Sequence, residues 1–446
     1  MPSRADRIAA IATPPGRGGI GVIRVSGRDL GSFSPVLFGQ SLAPRHATYT
    51  PFFDASGSVI DQGIAIFFPA PNSYTGEDVL ELQGHGGTAV LQMVLQRCLA
   101  LGARPAQPGE FTQRAFLNDK LDLVQAESVA DLIEASSEQA VRSAQRSLQG
   151  EFSATIRGLV DRLIELRILV EAMLDFPEEE LDVADIARRK DALTALCSDL
   201  KRTLELARQG SLLREGAHIA LIGSPNVGKS SLLNCLSGED VALVSDVAGT
   251  TRDAIHQAIN IQGVPLHIID TAGLRETRDV VEQMGIARTR QAMERADAIL
   301  LLQDAQLGGH TTGQDILAQM PKGIPKLYVI NKIDLLGQEP RVETSGGDIH
   351  IYLSAKTGAG IELLREQILQ LMDWRADAGV FMARERHVQA LQQAGRCLER
   401  AAEVGARAEL FAEELRLAQA ALGKIVGEFS SDDLLGEIFS RFCIGK

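Results

Sequence analysis

The sequence predicts a multidomain α/β protein: an N-terminal α/β unit, a helical domain in two separated pieces, and a P-loop nucleotide domain with a mostly parallel sheet inserted between those pieces. Three observations carry this. The stretch Gly223-Ser224-Pro225-Asn226-Val227-Gly228-Lys229-Ser230 lies between an apolar run and a helical start, as a phosphate-binding loop must. Strand and helix patterns alternate over residues 215–377, which implies parallel strands with right-handed crossovers and a ligand at their carboxyl ends. Long helical patterns flank that region at 120–214 and 378–446. One self-contained domain between two helical stretches is best read as an insertion.

Taken in order, residues 1–119 contain four strand-like runs: Ile8–Ala12, Ile20–Val25, Gly63–Phe68 and Val79–Leu82. Thr88–Leu101 is apolar at helical spacing. Arg24 and Glu81 each interrupt a strand with a charge, and on pattern alone they read as edge-strand charges facing water. Gly84-His85-Gly86-Gly87 reads as a strand-to-helix turn in which His85 is structural. From residue 120 the pattern lengthens into amphipathic helices, Val124–Leu148 and Ile156–Leu174. The acidic run at 175–180 reads as a solvated loop. Beyond the nucleotide domain, Glu409–Val426 is helical again, and the chain ends Phe442-Cys443-Ile444-Gly445-Lys446.

Within the central domain the motifs define a guanine nucleotide site. Gly223 and Gly228 let the backbone wrap a phosphate, amides at the helix start point inward, and the Lys229 ammonium neutralises oxygen charge. Asn226, Val227, Gly228, Lys229, Ser230 and Ser231 are the expected phosphate contacts, with the Ser230 hydroxyl on Mg²⁺. Asp270-Thr271-Ala272-Gly273 follows a strand-like run, Pro265–Ile269. There Asp270 can hold Mg²⁺ through water, and Gly273 admits a backbone N–H to the terminal phosphate. Asn331, Lys332 and Asp334 follow the strand-like Leu327–Ile330. Asp334 can accept from the ring N–H and exocyclic amine of guanine, an arrangement adenine lacks. Ser354, Ala355 and Lys356 follow His350–Leu353 and bring a backbone N–H to the guanine oxygen.

Composition sets limits. At 446 residues two or three domains are expected. The net charge of −13 argues against a broad basic face for nucleic acid. Five cysteines show no paired spacing, so neither a zinc site nor a disulfide framework is indicated. No apolar run reaches the roughly 18 residues of a membrane span, and the N-terminus lacks the apolar core of a signal peptide. The expected setting is the reducing cytoplasm, with no membrane partner. A single tryptophan and few other aromatics leave no visible platform for stacking RNA bases.

The chain resembles the MnmE (TrmE) family of tRNA modification GTPases over essentially its whole length. The resemblance rests on Thr13–Gly19, Tyr74-Thr75-Gly76-Glu77-Asp78, Arg114–Lys120, the GTPase motifs and the Cys-Ile-Gly-Lys ending. It implies a Ras-like GTPase domain and a folate-binding-type N-terminal domain that forms a homodimer. It also implies 5-formyltetrahydrofolate as one-carbon donor, with Arg24, Glu81, Lys120 and Lys446 as its contacts, which reverses the solvent-facing reading of the first two. A flavoprotein partner, MnmG (GidA), is implied in a heterotetramer-type complex. The implied reaction places an aminomethyl or carboxymethylaminomethyl group on C5 of the wobble uridine of certain tRNAs.

The resemblance also fills a gap in the hydrolytic chemistry. Leu274 stands where many small GTPases place a water-orienting glutamine. The family assigns that role to Glu282, which from the residues alone reads as a solvated charge at the start of a helix, 282–295. A K⁺ ion between the phosphates is implied in place of an arginine, held by Asn226 and by Ser245, Val247 and Thr250. A large cation needs about six to eight oxygens, best drawn from carbonyls and neutral side chains. The surrounding loop, Asp246, Ala248 and Gly249 included, contacts GTP, and Thr251 adds a hydroxyl to Mg²⁺. The family more often has Thr at position 245, a change a backbone ligand tolerates. Cys443 reads as an inert thiol.

Two other functions are compatible with a GTPase domain. One is a ribosome-assembly switch of the Era or Der kind, which usually carries a KH-type RNA domain or tandem GTPase domains; neither pattern occurs here. The other is a folate-binding module whose GTPase is only a conformational switch.

Overall fold

The computed structural model describes residues 6–175, 183–224, 226–237, 256–270, 296–307, 324–375, 379–405, 407–427, 438–440, 442 and 445. The chain divides into two compact units. The first comprises 1–133, 146–199 and 390–446, and the second 134–145 and 200–389.

The first unit is built on a six-stranded sheet. Its strands are β1 (Arg7–Ile11), β2 (Gly18–Gly27), β3 (Thr48–Phe53), β4 (Val59–Phe68), β5 (Asp78–Gly86) and β6 (Ala103–Pro105), in spatial order β3-β4-β5-β2-β1-β6. Ile23, Val25, Leu80 and Leu82 point to one face and pack under α1 (Phe33–Phe38) and α2 (Thr88–Ala100). Leu91, Val94 and Cys98 of α2 meet that face at helical spacing. Burial pushes the Cys98 thiol up to about 12, so it packs as an inert apolar group.

The glycine-rich stretch expected as a turn is strand instead: Gly84 and Gly86 belong to β5. A Cβ at Gly84 would meet Asp61 Oδ2 at 2.4 Å, and one at Gly86 the Gly18 carbonyl oxygen at 2.5 Å. These glycines serve close lateral packing, a use in strands that mimics a turn signal.

The helices α3 (Glu110–Leu117) and α4 (Leu123–Glu134) follow. Phe116, Leu123 and Ala126 form a second core with Ile438, Phe439 and Phe442 near the C-terminus. Further along, α6 (Glu151–Asp175) packs on α11 (Ala408–Val426). Leu159, Leu163, Leu166 and Val170 on the first, and Phe411, Leu415, Ala418 and Leu422 on the second, are buried at spacings of three and four. A stripe of that width is what an amphipathic helix buries, each large side chain contributing about 1.5–3 kcal/mol.

The expected single helix over Val124–Leu148 is two, α4 and α5 (Glu138–Leu148). The first ends at Glu134, and Ser137 caps the second: its Oγ accepts from the Ala140 N–H at 3.2 Å and donates to the Gly263 carbonyl at 2.9 Å. A serine that satisfies a helix-start amide breaks a pattern that apolar periodicity alone would carry through.

The second unit takes up the later part of α7 (Val183–Glu215), from residue 200, and is built on a seven-stranded sheet. Its strands are β7 (Ala217–Gly223), β8 (His256–Ile261), β9 (Val264–Asp270), β10 (Ala298–Asp304), β11 (Lys326–Asn331), β12 (Arg341–Ser345) and β13 (Asp348–Tyr352), in spatial order β12-β13-β11-β10-β7-β9-β8. The five inner strands run parallel, and β8 and β12 close the two edges antiparallel. The expected mostly parallel sheet is therefore present. Strands β7 and β10 bury residues without alternation, as strands covered on both faces must. The remaining helices are α8 (Lys229–Ser237), α9 (Ile361–Leu371) and α10 (Glu385–Val404). No described helix is long and apolar enough to cross a membrane.

Candidate functional site

The carboxyl ends of β7, β10, β11 and β13 bring the nucleotide motifs together. Gly223 ends β7 and Lys229 opens α8. Between them Asn226 and Gly228 adopt left-handed backbone, with φ of 62° and 101°, which curls the chain into a loop whose amides can face inward. A Cβ on Gly228 would lie 2.3 Å from Asn331 Nδ2. The cradle is therefore shaped for a backbone without side chain. Lys229 Nζ donates to the Gly223 carbonyl at 2.7 Å, so its ammonium lies across the loop a phosphate would enter. Ser230 occupies the first turn of α8, where a hydroxyl can meet a cation held at the phosphates.

Asn331 ties this loop to the base-recognition loops. It is 2 % exposed. Its Nδ2 donates to the Val227 carbonyl at 2.8 Å, and its Oδ1 accepts from the Ala355 N–H at 2.9 Å. Ser354 Oγ donates to Asp334 Oδ1 at 2.6 Å, which fixes the rotation of that carboxylate.

One functional residue escapes the motif reading. Asp304, the last residue of β10, accepts from Lys332 Nζ at 2.7 Å and from the Gln306 N–H at 3.0 Å. Burial pushes its carboxyl up, but the Lys332 ammonium and the Gln306 amide outweigh that and hold it below the usual range. Lys332 sits at φ 70°, so its side chain is set by this ion pair as well as by its backbone. An acid ending a strand beside the Asn-Lys-x-Asp strand is the only sequence signal for it. Replacing Asp304 or Lys332 by Ala is expected to weaken GDP binding by about 1 kcal/mol each, with the double variant little worse than either. Additive losses in a titration would separate the two residues.

The remaining predicted nucleotide residues are placed unevenly. Val227 is buried under the loop, and Ser231 and Lys356 lie in α8 and in the loop after β13. Asp270 ends β9. Thr271, Ala272, Gly273, the loop 245–251 and Glu282 lie outside the described residues, as do Cys443 and Lys446.

The first unit holds a second constellation. Arg24 and Glu81 face one another across β2 and β5, which are central strands, not the edge positions that pattern alone suggested. Arg24 Nη2 lies 2.8 Å from Glu81 Oε1, and the side chains are 21 % and 18 % exposed. The Arg24 guanidinium carbon stands 5.5 Å from the Tyr74 ring centroid and 5.9 Å from that of Phe111. Its Nη1 reaches the Gly445 carbonyl at 3.4 Å. Gly445, at φ 99°, rests so closely on β1 that a Cβ would meet the Ile11 carbonyl oxygen at 2.6 Å.

Beside this pair is a cavity of about 470 Å³ whose walls include Glu81, Tyr74, Phe68 and Lys120. That volume suits a small organic ligand. The motif residues of the same unit form a largely buried polar scaffold. Arg114 pairs with Glu77 at 2.9 Å and with Glu110 at 3.0 Å, Ser26 bonds Thr75, and the Asn118 amide donates to the Thr75 carbonyl. Burial pushes the Glu110 carboxyl up, yet the Arg104 and Arg114 guanidinium groups and the Gln107 amide bring it below its ordinary value. Thr75, Glu77 and Arg114 therefore tie together the segments that follow Tyr74 and precede Lys120. Among the described residues no group of three or more His, Cys, Asp and Glu side chains could hold a metal ion.

Residues 123–443 match the family described as the MnmE helical domain, and residues 7–120 match that described as the N-terminus of the GTP-binding protein TrmE. Curated relatives include proteins named tRNA modification GTPase MnmE. That of Nitrosomonas europaea is 58 % identical over 447 residues, 99 % of each chain. That of Chromobacterium violaceum is 57 % identical over 98 % of each chain. That of Thiobacillus denitrificans is 57 % identical over 100 % of this chain and 99 % of its own.

Proposed function

Because this chain belongs to the MnmE (TrmE) family of tRNA modification GTPases, we propose that it couples hydrolysis of GTP, to GDP and phosphate, to modification of the wobble uridine of certain tRNAs. The observation that carries the nucleotide half is the Val227–Asn331–Ala355 bridge. It joins the phosphate loop to the Ser354-Ala355-Lys356 loop at one end of one sheet, and Ser354 in turn bonds the Asp334 carboxylate.

In this reading Lys229 and the loop amides hold the phosphates, and Asp334 with a backbone N–H of the Ser354-Ala355-Lys356 stretch reads the base. Ser230 and Thr251 hold Mg²⁺, which supplies charge compensation between the phosphate oxygens. Asn226, Ser245, Val247 and Thr250 hold K⁺ in the same cause. Glu282 orients the attacking water.

The folate half rests on the Arg24–Glu81 pair beside a ligand-sized cavity. A half-buried carboxylate can accept from the N–H groups of a pterin ring, and the Arg24 guanidinium, 2.8 Å away, orients it. Lys120 lines the same cavity, and the contact of Gly445 with Arg24 supports a role for the adjoining Lys446. We further infer a homodimer, a cytoplasmic setting, and a flavoprotein partner of the MnmG kind that takes part in adding the aminomethyl-type group from a formyltetrahydrofolate donor.

Arg24→Ala and Glu81→Ala are each expected to weaken 5-formyltetrahydrofolate binding about tenfold, since each leaves a half-buried charge without its partner. GTP hydrolysis should be untouched. Calorimetry that finds wild-type affinity in both variants would sink the folate site. The whole reading is tested by assaying wobble-uridine modification in tRNA from cells that lack this protein. Normal modification there would overturn it.

A further inference from the structure

The cavity of the first unit has an uneven charge pattern. Glu81 is largely buried and already paired with Arg24, whereas Arg45 and Lys120, which also line the cavity, are exposed. The acid thus lies deeper and the two cations nearer the mouth. Arg45 Nη1 donates to the Asn72 carbonyl at 2.6 Å, and Lys120 Nζ to the neighbouring Pro71 carbonyl at 3.2 Å. Both cations therefore hang on one short loop, and among the described residues neither is ion-paired with a carboxylate.

Arg45 is also held in place. Its backbone N–H donates to the Phe67 carbonyl at 2.7 Å, its φ is 59°, and its guanidinium carbon stands 5.8 Å from the Phe68 ring centroid. A bulky residue in left-handed backbone is uncommon and persists where its surroundings demand it. A guanidinium offers five N–H donors in a rigid fork that matches a carboxylate. One carbonyl and one ring face leave most of that fork unused.

We propose that Arg45 receives the carboxylate end of the ligand in this cavity, and that with Lys120 it makes the site select pterins bearing a glutamyl tail. The inference rests on the folate reading of the cavity and adds to it a residue and a specificity. Ring N–H groups would meet Glu81 at the deep end, and the anionic tail would leave past Phe68 between the two cations. Each added glutamate increases the negative charge near the mouth, so affinity rises with tail length and falls with salt.

The test uses the full-length protein and three probes in calorimetric titrations: 5-formyltetrahydrofolate, its triglutamate, and a 5-formyltetrahydropterin without the benzoylglutamate tail. Arg45→Gln is expected to raise Kd for the first two about five- to tenfold, a charge-assisted hydrogen bond at an exposed site being worth that much. Binding of the tail-less pterin should not change, which also reports that the variant is folded. Arg45→Lys should recover part of the loss, because the charge returns without the fork. Equal loss for all three probes would make Arg45 a structural residue of the loop and overturn the inference, as would unchanged affinity for the glutamylated probes. Failure of the wild type to bind any probe would remove the folate reading itself, and this inference with it.

Discussion

Asp334→Asn should weaken GTP binding by about 2–3 kcal/mol, roughly 30- to 150-fold in Kd, and should turn the preference toward xanthosine triphosphate. A carboxylate can accept from two adjacent N–H donors of guanine at once, the role proposed for Asp334. An amide in its place presents one donor where an acceptor is needed. Xanthine carries a C2 carbonyl oxygen where guanine carries the exocyclic amine, and that oxygen accepts from the new N–H. The scaffold survives the change, since Ser354 Oγ donates to Oδ1 at 2.6 Å and an amide oxygen can take the same bond. The Asn331 bridge to Val227 and Ala355 does not touch Asp334 at all. A titration in which the variant keeps wild-type GTP affinity would remove the guanine assignment.

The nucleotide site was legible because its chemistry is local in sequence. Each motif follows an apolar strand, and the parallel sheet makes those strand ends neighbours automatically. The buried strands β7, β9 and β11 show as apolar runs because both faces are covered. The edge strands do not. β3 contains Pro51, and β12 is an almost wholly polar run, Arg-Val-Glu-Thr-Ser, with four of five residues exposed. Its strand character comes from pairing with β13, a property of the partner and not of its own pattern.

What stayed hidden depends on distant pairs. Arg24 and Glu81 are 57 residues apart, and each alone is a misplaced charge in an apolar strand. Only the register of β2 on β5 turns two anomalies into one ion pair in the middle of a sheet. Asp304 and Lys332 are likewise joined by the parallel pairing of β10 and β11. The family-specific stretches around Thr75, Glu77 and Arg114 were recognisable as motifs but silent about their role, since a buried ionic scaffold and a set of ligand contacts use the same residue types.

Glu282→Ala should abolish most GTP hydrolysis while leaving nucleotide affinity nearly unchanged. Positioning a nucleophile is typically worth about 10²–10⁴ in rate, or roughly 3–5 kcal/mol. Two carboxylates described at this end of the sheet are committed elsewhere. Asp304 is engaged by Lys332 and the Gln306 N–H, and Asp334 by Ser354. Leu274, where a water-orienting side chain would otherwise stand, has no polar atom. Binding should persist because the phosphate cradle is made by Lys229, the loop amides and a glycine whose space a Cβ would fill, none of which involves Glu282. The cation acts separately. Replacing K⁺ by Na⁺ should slow turnover of the wild type, since a smaller ion fits oxygens spaced for a larger one poorly. GTP-dependent approach of two nucleotide domains should weaken in step with turnover. Single-turnover hydrolysis by wild type and Glu282→Ala, each in K⁺ and in Na⁺, separates the two effects. A variant as fast as wild type would take Glu282 out of the mechanism, and equal wild-type rates in the two salts would take out the cation site.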